Sequence, residues 1–156
     1  MHITAYNNPQ VPCPNCLNLS FENSKGCYRL IFTAPELLSI SFDFCTFLSQ
    51  TIDKDLSESL SNSPRLKGLH SYKLWGIDEL RPLYLPSVEG VSFYRADSLR
   101  ALKLYAPRLE ELNLRAAYAI SSVTLLEHGK NEHEHLLHIE SGRPINLPKK
   151  NIPNSH

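Results

Sequence analysis

An excess of charge of either sign is the first thing this chain lacks: sixteen Lys and Arg stand against sixteen Asp and Glu, for a formal net charge of zero. That balance removes the global electrostatic pull of nucleic acid or an anionic membrane, so neither is an expected partner. Long apolar runs are missing as well. No stretch of about 18 apolar residues is present, as a membrane-spanning helix would need. The opening MHITAYNNPQVPCPNC has no apolar segment of a secretory signal, and an intracellular location, cytoplasmic or nuclear, is expected. Four cysteines in 156 residues are too few for a disulfide-dense scaffold. No phosphate-binding glycine loop and no nucleophile with an adjacent base stand out, so no cofactor is expected.

The sequence does contain a repeat. Leu99, Leu102 and Leu104, then Leu109, Leu112 and Leu114, then Ile120, Val123 and Leu125 share one frame: apolar, two variable positions, apolar, one variable position, apolar. Alternation over the last three positions suits a short strand with one buried face. A proline precedes the frame at Pro14, Pro35, Pro64, Pro86 and Pro107, at intervals of 21, 29, 22 and 21 residues. The frames that follow are Cys16, Leu19, Phe21; Leu37, Ile40, Phe42; Leu66, Leu69, Ser71; Val88, Val91, Phe93; and Leu109, Leu112, Leu114. Only Ser71 is polar. Proline fixes φ and cannot donate to a ladder, so it marks a corner before each strand. A second strand per coil reads at Cys27, Leu30, Phe32; Leu80, Leu83, Leu85; Leu99, Leu102, Leu104; and Ile120, Val123, Leu125.

The expected fold is therefore a β-rich, leucine-rich-repeat-like solenoid of about five coils of 21–29 residues, with short parallel strands and one short helix. The helix belongs to the 29-residue interval, where Ile52, Leu56 and Leu60 recur on one face and Asp53 and Asp55 favour its start. The expected organisation is an N-terminal segment 1–13, the solenoid 14–140 and a disordered tail 141–156. Leu136 and Ile139 could add one more strand. No polar capping repeat is evident at either end, which suggests a piece of a longer protein or a degenerate copy of one.

Phe42-Asp43-Phe44-Cys45, then Ile52-Asp53, Leu56, Leu60 and Asn62-Ser63-Pro64-Arg65-Leu66, resemble the cysteine-containing leucine-rich repeat of plant-type F-box proteins. The 21-residue coils, with A-P-x-L-x-x-L-x-L followed by a small residue, are similar to the helix-less coils of that family, and Ser24, Ala96 and Ala117 take the cysteine's place. The resemblance implies the substrate-recognition part of a ubiquitin ligase. An adaptor would then be engaged through a domain absent from this chain.

Three other chemistries have partial signatures in the sequence. Cys13-Pro14-Asn15-Cys16 has the spacing of half a zinc site, but no second C-x-x-C completes it; the frame places Cys16 and Cys27 inward and Cys45 at a small corner, leaving Cys13 reactive. His128, His133, His135 and His138 read as part of a mixed-charge connector rather than as metal ligands. Trp75 reads as a packing residue. Among the acids, Asp43 and Glu111 point outward three coils apart, about 14 Å, beyond the separation that paired-carboxylate glycosidases use. Catalysis is not expected, and a carbohydrate-active β-helix enzyme is the less favoured reading.

Binding of a protein or peptide is expected instead, on the outward face of the proline-side strands. The residues assigned to it are Ser41, Asp43, His70, Tyr72, Ser92, Tyr94, Asn113 and Arg115. Tyr72 and Tyr94 should stack about 5 Å apart. The alternative is a structural solenoid fragment without independent activity.

Overall fold

A computed structural model describes residues 1–3, 10–48, 52–126, 135–137 and 145–146. In chain order the elements are β1 (His2–Ile3), β2 (Gln10–Pro12), β3 (Asn18–Glu22), β4 (Lys25–Cys27), β5 (Ile31–Thr33), β6 (Ser39–Phe47), α1 (Ile52–Ser61), β7 (Gly68–Trp75), β8 (Leu83–Tyr84), β9 (Gly90–Tyr94), β10 (Ala101–Tyr105), β11 (Glu111–Asn113), β12 (Ser122–Leu125), β13 (His135–Leu137) and β14 (Ile145–Asn146). They wind into a β-solenoid of about five turns whose consecutive coils pair in parallel.

Each proline starts the turn expected of it. The amide three residues past each turn's first carbonyl closes it, at Cys16→Cys13 (3.1 Å), Leu37→Ala34 (3.1 Å), Leu66→Ser63 (3.1 Å), Val88→Leu85 (3.2 Å) and Leu109→Ala106 (3.0 Å). Proline occupies the second position in all five, where its fixed φ is already correct. The strands that follow stack as β1-β3-β6-β7-β9-β11-β14, with Leu19, Ile40, Leu69, Val91 and Leu112 facing one another from coil to coil. Between strands the ladder continues through shared carbonyls. Glu89 O, for instance, accepts from both Glu110 N (2.8 Å) and Glu111 N (3.1 Å).

The second side of the solenoid is interrupted. It consists of the β2-β5 pair and the sheet β13-β12-β10-β8, and α1 packs against both β5 and β8. Ile52, Leu56 and Leu60 are buried on one helix face as their spacing predicts. The polar side of α1 is clipped to the neighbouring coils. Arg29 Nε meets Asp55 Oδ2 at 3.0 Å, Arg81 Nε meets Asp53 Oδ2 at 3.2 Å, and Phe32 N, on β5, donates to Ser59 Oγ at 3.2 Å.

The structure also differs from the sequence-based expectation in three places. Pairing of β1 with β3 and of β2 with β5 extends the stacked strands to the N-terminal side of Pro14. At the other end β13 and β14 run antiparallel to β12 and β11, each covering an outer strand. Leu136 and Leu137 belong to β13, whereas Ile139 and most of 141–156 lie outside the described residues. Finally, Trp75 is only half-buried and its Nε1 donates to Asp97 Oδ2 at 3.3 Å, because it sits at the end of β7 and not under a coil.

Two inward columns form the core under the continuous sheet. One runs Phe21, Phe42, Ser71, Phe93, and Phe21 stacks on Phe42 at 5.4 Å with planes 5° apart. Ser71 is 3% exposed, and its Oγ has no hydrogen-bond partner among the described residues. A buried hydroxyl left unpaired costs free energy, so Ser71→Ala is expected to stabilise the fold by about 1 kcal/mol. Denaturant unfolding of the two proteins measures this, and a destabilised Ser71→Ala would mean that the hydroxyl has a partner.

Candidate functional site

Three of the outward columns that cross the continuous sheet carry the candidate site. The first is Ser20, Ser41, His70, Ser92, Asn113, aligned by the strand register. Ser41 Oγ donates to Ser20 Oγ at 2.9 Å, and Ser20 Oγ donates to Glu22 Oε1 at 3.2 Å. His70 is exposed and its ring lies over Gly68, where a Cβ would come within 2.8 Å of Nε2. Asn113 has a local role, since its Oδ1 accepts from Arg115 N at 3.0 Å as asparagine often does at a turn.

The second column holds Glu22, Asp43, Tyr72 and Tyr94, continued by Arg115. Tyr72 and Tyr94 stack at 5.1 Å with planes 4° apart, as their spacing predicts. Asp43 and Glu22 are partners in adjacent strands. Glu111 falls elsewhere, in register with Gly90, so the nearest carboxylate neighbour of Asp43 in this ladder is Glu22. Desolvation holds the Asp43 carboxyl above its ordinary range, Glu22 adds to that, and His70 with the Tyr72 amide opposes it.

The third column is not legible from strict alternation. Asn23, Phe44, Lys73, Arg95 and Ala116 adopt positive φ of 52°, 56°, 55°, 56° and 58°: Asn23 and Arg95 directly follow β3 and β9, Ala116 lies beyond β11, and Phe44 and Lys73 interrupt the long strands β6 and β7. A left-handed residue there lets the backbone turn while its side chain stays outside, so two successive residues face solvent before Ser24, Cys45, Leu74, Ala96 or Ala117 turns back into the core. Each such non-glycine residue costs about 1 kcal/mol, which the surrounding ladder must offset. Phe44, 39% exposed, meets Tyr72 edge-on at 5.1 Å, and Lys73 Nζ lies 4.8 Å from the Phe44 ring centroid and 5.4 Å from that of Tyr72. Lys73, Arg95 and Phe44 thus join the residues assigned from the sequence. The signal that could have found them is the shared coil interval, which puts 44, 73 and 95 in one position of the repeat.

Together the columns make a face ordered by charge. Glu22 and Asp43 stand at one end, the Phe44–Tyr72–Tyr94 rings in the middle with Lys73 Nζ over the first two of them, and Arg95 and Arg115 toward the other end. A shallow depression lies at the acidic end, lined by Glu22, Asn23, Asp43, Phe44 and Tyr72.

The cysteine assignment needs correction. Cys13, expected to be free and reactive, is 5% exposed, Cys16 is only half-buried, and the two form a disulfide. The cause is the proline turn: its first position, filled elsewhere by Ala34, Ser63 or Leu85, points into the core, and closing it brings Cys13 and Cys16 to a Cα separation of 5.3 Å. Cys27 and Cys45 are buried as expected. No group of three or more metal-ligating side chains exists among the described residues; His128, His133 and His138 lie outside them. Among those same residues no helix is long and apolar enough to cross a membrane.

Burial raises both free thiols, that of Cys45 to about 11, so on the order of one in a thousand would be thiolate at pH 8. The native, unreduced protein should take up no alkylating reagent; after mild reduction Cys16 should label first. Mass spectrometry of the labelled peptides decides, and a label on Cys13 before reduction would contradict the pairing. A second expectation concerns Asp43. The folded chain binds its proton more tightly than the unfolded chain, so this group favours folding in acid and its contribution is lost as pH rises through its raised range. Asp43→Asn should raise the melting temperature at pH 7, and the gain should vanish on acidification below the carboxylate range.

No protein-family model, no curated protein and no solved structure matches this chain, so the chemistry of the face itself is the basis for assigning a role.

Proposed function

We propose that the chain is a protein-binding module that takes a protein or peptide ligand on the outward face of the continuous sheet. The observation that supports this most directly is the outward aromatic row, Phe44 against Tyr72 and Tyr72 against Tyr94, held between carboxylates at one end and guanidinium groups at the other. Aromatic side chains supply large contact area at low entropic cost, and flanking charges set register and exclude wrong partners. An extended face on a solenoid suits such a ligand better than a closed pocket would suit a small molecule. The resemblance of the Phe42–Leu66 stretch to F-box leucine-rich repeats extends the reading: the ligand would be a substrate for ubiquitination, presented to an adaptor held by a domain outside this chain.

The test uses the full chain, immobilised and offered a random heptapeptide display library. Selected peptides should bind the native protein, and Tyr94→Ala should weaken them by about 1–3 kcal/mol with little change in melting temperature. Val91→Ala should do the reverse, destabilising the fold by roughly 1–3 kcal/mol through a cavity. Failure to select any Tyr94-dependent peptide would refute the reading and leave a scaffold role.

A further inference from the structure

The charge order on the face limits what can lie along it. Asp43, Tyr72, Tyr94 and Arg115 occupy successive coils in nearly one line, the first three aligned by strand register and the last brought alongside by Arg95 N donating to Arg115 O at 3.2 Å. Parallel strands are spaced by roughly 4.8 Å, so Asp43 and Arg115 stand about 14 Å apart along the solenoid axis. An extended peptide rises by about 3.4 Å per residue, and four residues cover that distance. Its side chains alternate, so residues i, i+2 and i+4 all face the same surface. The match in length and in phase is independent of the direction in which the peptide runs.

Each of the three stations selects a different side chain. At the first, the depression between Glu22, Asp43, Phe44 and Tyr72 combines carboxylates with ring faces. The chain itself already places an ammonium beside these rings, Lys73 Nζ, at 4.8 and 5.4 Å from two centroids. At the second, the stacked Tyr94 and Tyr72 offer an apolar platform. At the third, neither Arg95 nor Arg115 forms an ion pair with a carboxylate among the described residues, whereas Arg29, Arg65, Arg81, Lys54 and Lys67 each do.

From this geometry we infer that the face binds an extended peptide segment lying along the solenoid axis, with a basic residue at i over Glu22 and Asp43, an apolar or aromatic residue at i+2 on Tyr72 and Tyr94, and an acidic residue at i+4 against Arg95 and Arg115. This rests on the face being a peptide-contact surface and adds the order and spacing of the ligand's side chains. The inward frame plays no part in it, so the specificity lies wholly in the outward columns.

Synthetic peptides test it by fluorescence anisotropy against the full chain. The probes are Lys-Ser-Leu-Ser-Glu, Lys-Ser-Leu-Ser-Lys and Lys-Ser-Leu-Glu-Ser, each flanked by glycines. The first should bind about tenfold or more tighter than the second, since like charges meet at the third station in the latter. It should also exceed the third by about fivefold, because the acidic residue then faces away. In the double variant Arg95→Glu, Arg115→Glu the preference should reverse toward Lys-Ser-Leu-Ser-Lys, and Arg115→Gln alone should reduce the preference without reversing it. Circular dichroism confirms that the exposed-site variants remain folded. An unchanged preference in the double variant, or no binding of Lys-Ser-Leu-Ser-Glu, overturns the charge order. Tyr94-dependent library peptides that lack this pattern would leave the contact face intact and remove only the pattern; absence of any Tyr94-dependent peptide removes both.

Discussion

Backbone hydrogen bonds between coils are the interaction on which the rest of this molecule depends. A coil of 21 residues cannot satisfy its own strand amides and carbonyls, so β3, β6, β7 and β9 each draw their partners from the coil before and the coil after. That dependence forces register. A displaced coil would move a whole row of apolar side chains to solvent, and the alignment of Leu19, Ile40, Leu69, Val91 and Leu112 is the outcome of avoiding it. It also turns single positions of the repeat into continuous columns, which is how residues 22, 43, 72 and 94, far apart in the chain, become one surface.

The helix is accommodated within this rule rather than against it. α1 occupies a stretch of the second side where a strand would otherwise lie, and it replaces the missing ladder contacts with side-chain ones. Ser59 takes the amide of Phe32 that no strand is present to accept, and Asp55 and Asp53 reach in opposite directions to Arg29 and Arg81. The Arg29 guanidinium is raised further by that partner. The more exposed Arg81–Asp53 pair contributes little energy, whereas Asp55 is buried and takes Arg29 through both Nε at 3.0 Å and Nη2 at 3.3 Å. Their value is in orienting the helix so that Ile52, Leu56 and Leu60 close the core.

Much of this was legible from spacing alone. The proline intervals of 21, 29, 22 and 21 equal the offsets between paired residues in the continuous sheet, because a turn of fixed size sets each strand's start. The helix and the Tyr72–Tyr94 stack follow from the same frame. What escaped is what a period of two cannot express. A left-handed residue interrupts alternation, so Phe44, Lys73 and Arg95 were assigned to no face. The positions of Cys13 and Cys16 were exchanged because the first corner of a β-turn, and not only the strand after it, contributes to the core. The antiparallel pairing of β13 and β14 carries no repeat signature at all, being a long-range contact made by a segment outside the frame.

The placement of α1 has a consequence for the shape of its coil. A helix with its side chains is about 10 Å across, whereas a strand in a sheet occupies about 4.8 Å. On the continuous side β3, β6 and β7 are successive strands at single strand spacings, yet on the opposite side the same interval must make room for a helix between β5 and β8. A coil of that make-up is a wedge, thicker on the side away from the continuous sheet. Asp43 and Tyr72 stand on its thin edge, paired across adjacent strands. The hollow between the carboxylates and the first ring therefore lies on the side of the molecule opposite the insertion.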